Sequence, residues 1–180
     1  MQAAGQMRYR VDIYSIEGAT PVKTLKGSLW ADIKNPRTLG EQTSLRAPGQ
    51  SEIVFRINAE ILPGRFIVYG ARLWIIDCML SDSVARITRA AATELTGETA
   101  TYTPSDGLAY SVRAYLSQSA AYEGGDGATV YRSRIDVAKL ELTSAPKAGD
   151  QITMRGQTFN VVGMPDGGDD GAVVQLLVRK

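Results

Sequence analysis

The 180-residue chain carries 20 basic and 19 acidic side chains, and its net charge of +1 excludes a strong overall pull toward nucleic acid or an anionic membrane. It has no histidine, which excludes Ser-His and Cys-His catalytic pairs and the common zinc sites. A single cysteine, Cys78, excludes an internal disulfide and reads as a small packed core residue.

Hydrophobic residues make up 44% and charged residues 22%, the balance of a globular protein, and the length fits one large or two small domains. The N-terminus, Met1 to Arg10, lacks the apolar stretch of a signal peptide. No run approaches the roughly 20 apolar residues that span a bilayer. These features predict synthesis and assembly in a cytoplasm.

The first half reads as short strands. Val11 and Ile13 alternate with polar neighbours within 8–16. Val22, Leu25, Leu29, Trp30 and Ile33 predict one long strand over 22–33, bulged at Gly27. A polar segment follows, 34–51, with two prolines, two glycines and only two leucines. Gly40 and the lack of a periodic apolar face argue against a helix there, and a loop of this length is usually functional or disordered. Ile53, Phe55 and Ile57 alternate with Glu52, Arg56 and Asn58, as a half-buried strand requires. A hairpin spans 65–76, and a last strand near 84–90 contains Val84 and Ile87. Residues 90–97 read as the junction between two domains.

The second half repeats the theme, with strands near 98–103, 108–116, 129–137, 151–155, 158–163 and 172–179. Its long loop is 117–128, and 138–147 has room for a short turn of helix. One motif occurs in both halves. Residues 63–76 and 148–162 each read as Gly, short strand, Gly, apolar strand. The alignment sets Gly64 beside Gly149, Gly70 beside Gly156, Leu73 beside Phe159 and Ile75-Ile76 beside Val161-Val162, with the first copy one residue shorter between its glycines. Many short strands between Gly, Pro and Asp turns predict barrels or sandwiches. The expected core includes Phe55, Ile57, Val68, Leu73, Ile75, Ile152, Phe159 and Val161.

Chemistry-bearing motifs are weak. Asp166-Gly-Gly-Asp-Asp-Gly171 fails the calcium-loop spacing, since its third position is Gly168 and its twelfth is Leu177. It reads as a solvated turn. Gly124-Gly-Asp-Gly127 has no following Lys-Ser/Thr and is no phosphate cradle. The eight tyrosines are spread through the chain without a dense Lys/Arg run, so they read as packing residues rather than a nucleic-acid platform. Glu41, Glu52, Glu60, Asp77 and Asp82 show no motif that would pair carboxylates for acid–base work.

Arg10-Val-Asp-Ile13, Leu29-Trp-Ala-Asp-Ile33, Gly40-Glu41, Ile53-Val-Phe-Arg-Ile57 and the run Ile61 to Ile76 occur in an order and spacing that resembles tailed-bacteriophage head–tail joining proteins, the head-closure or stopper family, over about residues 1–91. About 95–180 resembles a phage head–tail attachment barrel through Val112-Arg-Ala114, Arg134-Ile-Asp-Val137, Ala148 to Gly156 and Phe159-Asn-Val-Val162. The resemblance implies an all-β chain of two tandem small β-barrel domains with long loops, 1–92 and 93–180. Relatives are usually one such domain long, so the tandem is a departure. It implies a structural, non-enzymatic protein without cofactor, in the virion neck. There it would form a homo-oligomeric ring, six- or twelve-fold, between the portal or adaptor protein and the tail terminator or tail tube. The ring would close the capsid exit after packaging, let double-stranded DNA pass without sequence specificity, and touch no membrane. The alternatives are a tail-terminator or tail-completion protein, or a monomeric β-barrel that binds a small ligand or peptide. In a ring, loop 34–51 would offer Lys34, Arg37 and Arg46 to phosphate and Leu39 and Leu45 to a neighbour, with Tyr122 on the second loop.

Overall fold

The computed structural model describes residues 7–17, 21–35, 41–80, 87–123 and 129–180, with the side chains of 118–132 outside that description. Within these bounds the chain is all-β, with one turn of 3-10 helix at Lys139–Glu141. It divides into two compact units. The first comprises 1–18, 22–42 and 46–95; the second comprises 19–21, 43–45 and 96–180.

The first unit holds β1 (Tyr9–Glu17), β2 (Val22–Lys34), β3 (Arg46–Arg56), β4 (Phe66–Tyr69), β5 (Arg72–Leu80) and β6 (Ile87–Leu95). All its pairings are antiparallel, and they run β1-β2-β3-β6-β5-β4. β4 pairs back onto β1 through Ile13↔Ile67, which closes the ladder into a barrel. The inward face is filled by Val11, Ile13, Ala31, Ile53, Phe55, Ile67, Trp74, Ile76, Ala90 and Ala92. Of the residues expected at the domain junction, 90–95 are barrel wall, and the division between the two units falls within the expected stretch, after Leu95. Alanine is a weak strand former, yet 90–92 are buried in β6 between β3 and β5.

The second unit holds β7 (Glu98–Thr103), β8 (Tyr110–Glu123), β9 (Thr129–Ala138), β10 (Gln151–Met154), β11 (Gln157–Gly163) and β12 (Val173–Arg179). Its closed order is β10-β11-β12-β9-β8-β7, with β7 paired to β10. Counted from the first strand of each unit, this ring and the first are the same: first, second, third, sixth, fifth, fourth. The core is Tyr102, Val112, Ile135, Val137, Ile152, Met154, Phe159, Val161, Leu176 and their neighbours.

The repeated hairpin matches residue for residue, in a register one step from the sequence alignment. In the first copy Gly64 N–H donates to Ile76 O at 2.8 Å and Ile76 N–H to Arg65 O at 2.9 Å. In the second, Gly149 N–H donates to Val161 O at 2.9 Å and Val161 N–H to Asp150 O at 2.8 Å. Ile67 faces Trp74 as Ile152 faces Phe159. Trp74, not Leu73, is thus the counterpart of Phe159. The two copies are equally long, and the apparent deletion comes from the turn. Gly70, at φ +56°, is the first central residue of its turn, whereas Gly156, at φ +73°, is the second of its own and Arg155 takes the first at φ +52°.

Each second hairpin strand also carries a β-bulge at the matching place. Asp77 is extra between Ile76↔Ala92 and Cys78↔Ala91, and Val162 is extra between Val161↔Val178 and Gly163↔Leu177. The bulge reverses the alternation beyond it. Cys78 is therefore exposed rather than packed in the core, and Met79 turns toward the core instead.

Of the expected core, Phe55, Leu73, Ile75, Ile152, Phe159 and Val161 are buried. Val68 is only half-buried, and Ile57, one residue past the end of β3 at Arg56, is 66% exposed. Leu73 and Ile75 lie on the opposite face of β5 from Trp74 and Ile76 and are buried nonetheless.

Candidate attachment surface

Two strands outrun their barrels. β2 pairs with β3 only over Ala31–Lys34, so from Val22 to Trp30 its ladder partner among the described residues is β1. β8 pairs with β7 only up to Ala114, so from Leu116 to Glu123 its ladder partner among the described residues is β9. The expected loop 117–128 is therefore mostly ladder, continuing to Glu123↔Thr129 past a bulge between Ser117 and Ala120. Its polar and small side chains carry no apolar alternation, and the hairpin pairing with β9 makes the strand. On β2 the exposed side chains include Val22, Leu25 and Trp30, each more than half exposed at 57%, 54% and 56%. Lys23 lies over the Tyr14 ring at 5.8 Å, and Lys26, the bulged residue beside Gly27, pairs with Glu17.

The expected loop 34–51 is also shorter than predicted. Arg46 opens β3 and faces Leu95, and pairing resumes at Gln50↔Thr93 after an irregular step around Pro48 and Gly49. Lys34 ends β2, with Nζ 3.1 Å from Glu52 Oε1; Arg89 lies 3.7 Å from the same oxygen. Arg46 Nη1 stands 3.9 Å from Asp77 Oδ1. Asp77, raised on its bulge, accepts from Gln50 Nε2 at 2.9 Å and Thr93 Oγ1 at 2.7 Å. Arg37 and Leu39 fall outside the described residues. Tyr122 sits in β8 opposite Val130, and its side chain is outside the description. The six residues thus do not form one described cluster.

Leu45 is fully buried, in the second unit. Its carbonyl accepts from Thr96 N–H at 2.8 Å, and its N–H donates to the Asp136 carboxylate. Burial holds the Asp136 carboxyl above the usual range, opposed by Arg134, whose Nε is 3.1 Å away, and by the Leu45 N–H. Leu45 packs over Gly97. A Cβ on Gly97 would stand 2.6 Å from Leu45 Cδ1 and 2.6 Å from the Ala114 carbonyl oxygen. Gly97→Ala is therefore expected to cost about 1–3 kcal/mol by overpacking, read as a shifted urea midpoint. Gly27→Ala, with nothing within 4 Å of its Cβ, is the control and should change stability by no more than about 0.5 kcal/mol.

Sequence reasoning missed the buried latch of the second unit. Tyr102 O–H donates to Asp150 Oδ2 at 2.5 Å. Ser105 N–H reaches Asp150 Oδ1 at 2.8 Å, and Lys147 N–H reaches Oδ2 at 2.8 Å. Burial pushes the Tyr102 hydroxyl far above its ordinary range, and the Asp150 charge adds to it. Burial also works against the Asp150 charge, but the bonds from Tyr102, Lys147 and Ser105 outweigh it and hold the carboxyl below the usual value. The signal available in sequence was Asp150 directly after a turn glycine.

The Asp166–Gly171 turn uses its acids on its own backbone. Asp170 Oδ1 accepts from Ala172 and Val173 N–H at 2.9 and 2.8 Å, and Asp169 pairs with Lys139 at 2.6 Å.

Residues 80–178, more than half of the chain, match the family model described as Phage Head-Tail Attachment protein. No curated protein matches the chain. The crystal structure of the active form of the Rv3671c protease from M. tuberculosis aligns over 97% of this chain and 78% of that chain, at 16% identity and a TM-score of 0.29, a likeness too slight to carry an argument. The matched span runs from the last residue of β5 to Val178 and takes in every strand of the second barrel, so the chain belongs to the phage head–tail attachment family.

Proposed function

We propose that this chain is a structural protein of the phage neck, working as a ring between portal and tail that closes the capsid exit after packaging and presents the tail attachment surface. The observation that carries the reading is the family match across the whole second barrel. The first barrel repeats the same strand order and the same bulge, which supports two joining domains in tandem. Double-stranded DNA would pass the lumen without sequence specificity. Lys34 and Arg46 support this, since each stands beside a carboxylate and would hold phosphate weakly. A phage lacking the chain should give filled heads and free tails that fail to join, with DNA leaking from the heads. Supplying the chain in trans should restore joining, scored by electron microscopy and plaque count. Joined, DNA-tight particles assembled without the chain would refute the proposal.

A further inference from the structure

The open runs of β2 and β8 are complementary in place and charge and close in length. Val22–Trp30 spans nine residues and Leu116–Glu123 eight, with ladder groups unpaired on one side among the described residues. They belong to the same strand position, the second of each barrel, but on opposite sides and opposite halves of it. β2 is open at its beginning on the side of its third-strand neighbour; β8 is open at its end on the side of its first-strand neighbour. Open strand edges invite pairing and are ordinarily covered. A contact between two different patches, repeated head to tail, closes into a ring when the rotation allows.

We propose that the β8 edge of one copy adds antiparallel to the β2 edge of the next copy, joining successive subunits by a continuous sheet. This rests on the ring reading above and assigns the surfaces that make it. With Val22 set opposite Glu123, Leu25 lies opposite Ala120 and Leu29 opposite Leu116. In that register the β2 bulge at Lys26 falls opposite the β8 bulge at 118–119. Each bulge sharpens the twist of its strand. Coincident bulges let two twisted strands stay paired across the whole run. The β2 run contains Lys23 and Lys26 and no acid, whereas the β8 run contains Glu123 and no base. The half-exposed Val22, Leu25 and Trp30 would be covered by the incoming strand.

The test is a cross-link in assembled particles. In a Cys78→Ser background, the Leu25→Cys/Ala120→Cys chain should give a ladder of dimers, trimers and higher species on oxidation, and each single cysteine should stay monomeric. Dimers from Leu25→Cys alone would mean a two-fold contact and overturn the proposal, as would infectious particles of the double variant that remain monomeric. A second variant covers failed assembly of the first. Joining Ser117 to Ser133 through Asn-Gly removes the arm beyond the bulge without touching the β9–β12 ladder. The trimmed chain should be absent from the neck, and its incorporation at native copy number would overturn the pairing. Heads and tails that join with no chain present refute the neck function itself; normal joining with the trimmed chain refutes only this interface.

Discussion

Trp74→Ala is expected to unfold the first barrel and Phe159→Ala the second, each losing about 3–5 kcal/mol. Both side chains are fully buried at the same point of the duplicated hairpin, opposite Ile67 and Ile152. Trp74 has further ties. Its Nε1–H donates to Ser51 Oγ at 3.3 Å, and the Arg72 guanidinium lies 4.4 Å over its ring while paired to Glu94 at 2.7 Å. A loss of this size is comparable with the whole stability of a small domain. Urea titration followed by circular dichroism, with hydrogen exchange on peptides from each unit, separates the two responses. The exposed Ile57→Ala should move the midpoint by under about 0.5 kcal/mol. A change below about 1 kcal/mol for Phe159→Ala would contradict the packing described.

Asp150→Ala should cost the second barrel about 3–5 kcal/mol, because it strands a buried hydroxyl and two backbone N–H groups at once. Tyr102→Phe removes one of the three bonds and should cost about 1.5–3 kcal/mol. The latch also sets an acid limit. Since the folded state holds the Asp150 carboxyl below its ordinary value, the unfolded chain takes up the proton first as pH falls. The stabilisation is complete above the ordinary aspartate range of about 3.9 and drains away as pH drops below it. Asp150→Asn should flatten that acid limb. Unchanged acid dependence in urea titrations of Asp150→Asn would show that the carboxylate is not the source.

Strands with period-two alternation were legible directly: Ile53 and Phe55 point in and Glu52 and Arg56 out because one face of β3 is wet. Turn chemistry was legible where glycine supplied it. Two kinds of feature were not. Residues 46–51 and 118–123 lack alternation, and they become strand through partners in β6 and β9, Gln50 with Thr93 and Ala120 with Arg132 being examples. Single-residue slips were the other. A bulge at Asp77 reversed Cys78, and Arg155 in a position usually left to glycine shifted the hairpin alignment by one. Leu45 read as a free contact because nothing local marks a residue whose partners are Thr96, Gly97 and Asp136.

Closure of both ladders decides how the protein answers force. An open sheet yields to a pull by shedding its outermost strand, one hydrogen bond at a time. Neither barrel offers an outermost strand, since β1 is tied to β4 and β7 to β10. Within the closed part of each ladder, a tug along a strand therefore loads the bonds on both its flanks together, in shear; the one-sided runs Val22–Trp30 and Leu116–Glu123 lie outside it. Rupture then requires many bonds to fail in the same instant. Under a sustained axial load each barrel should resist as a hoop does, with its lifetime set by a rare concerted break rather than by gradual fraying.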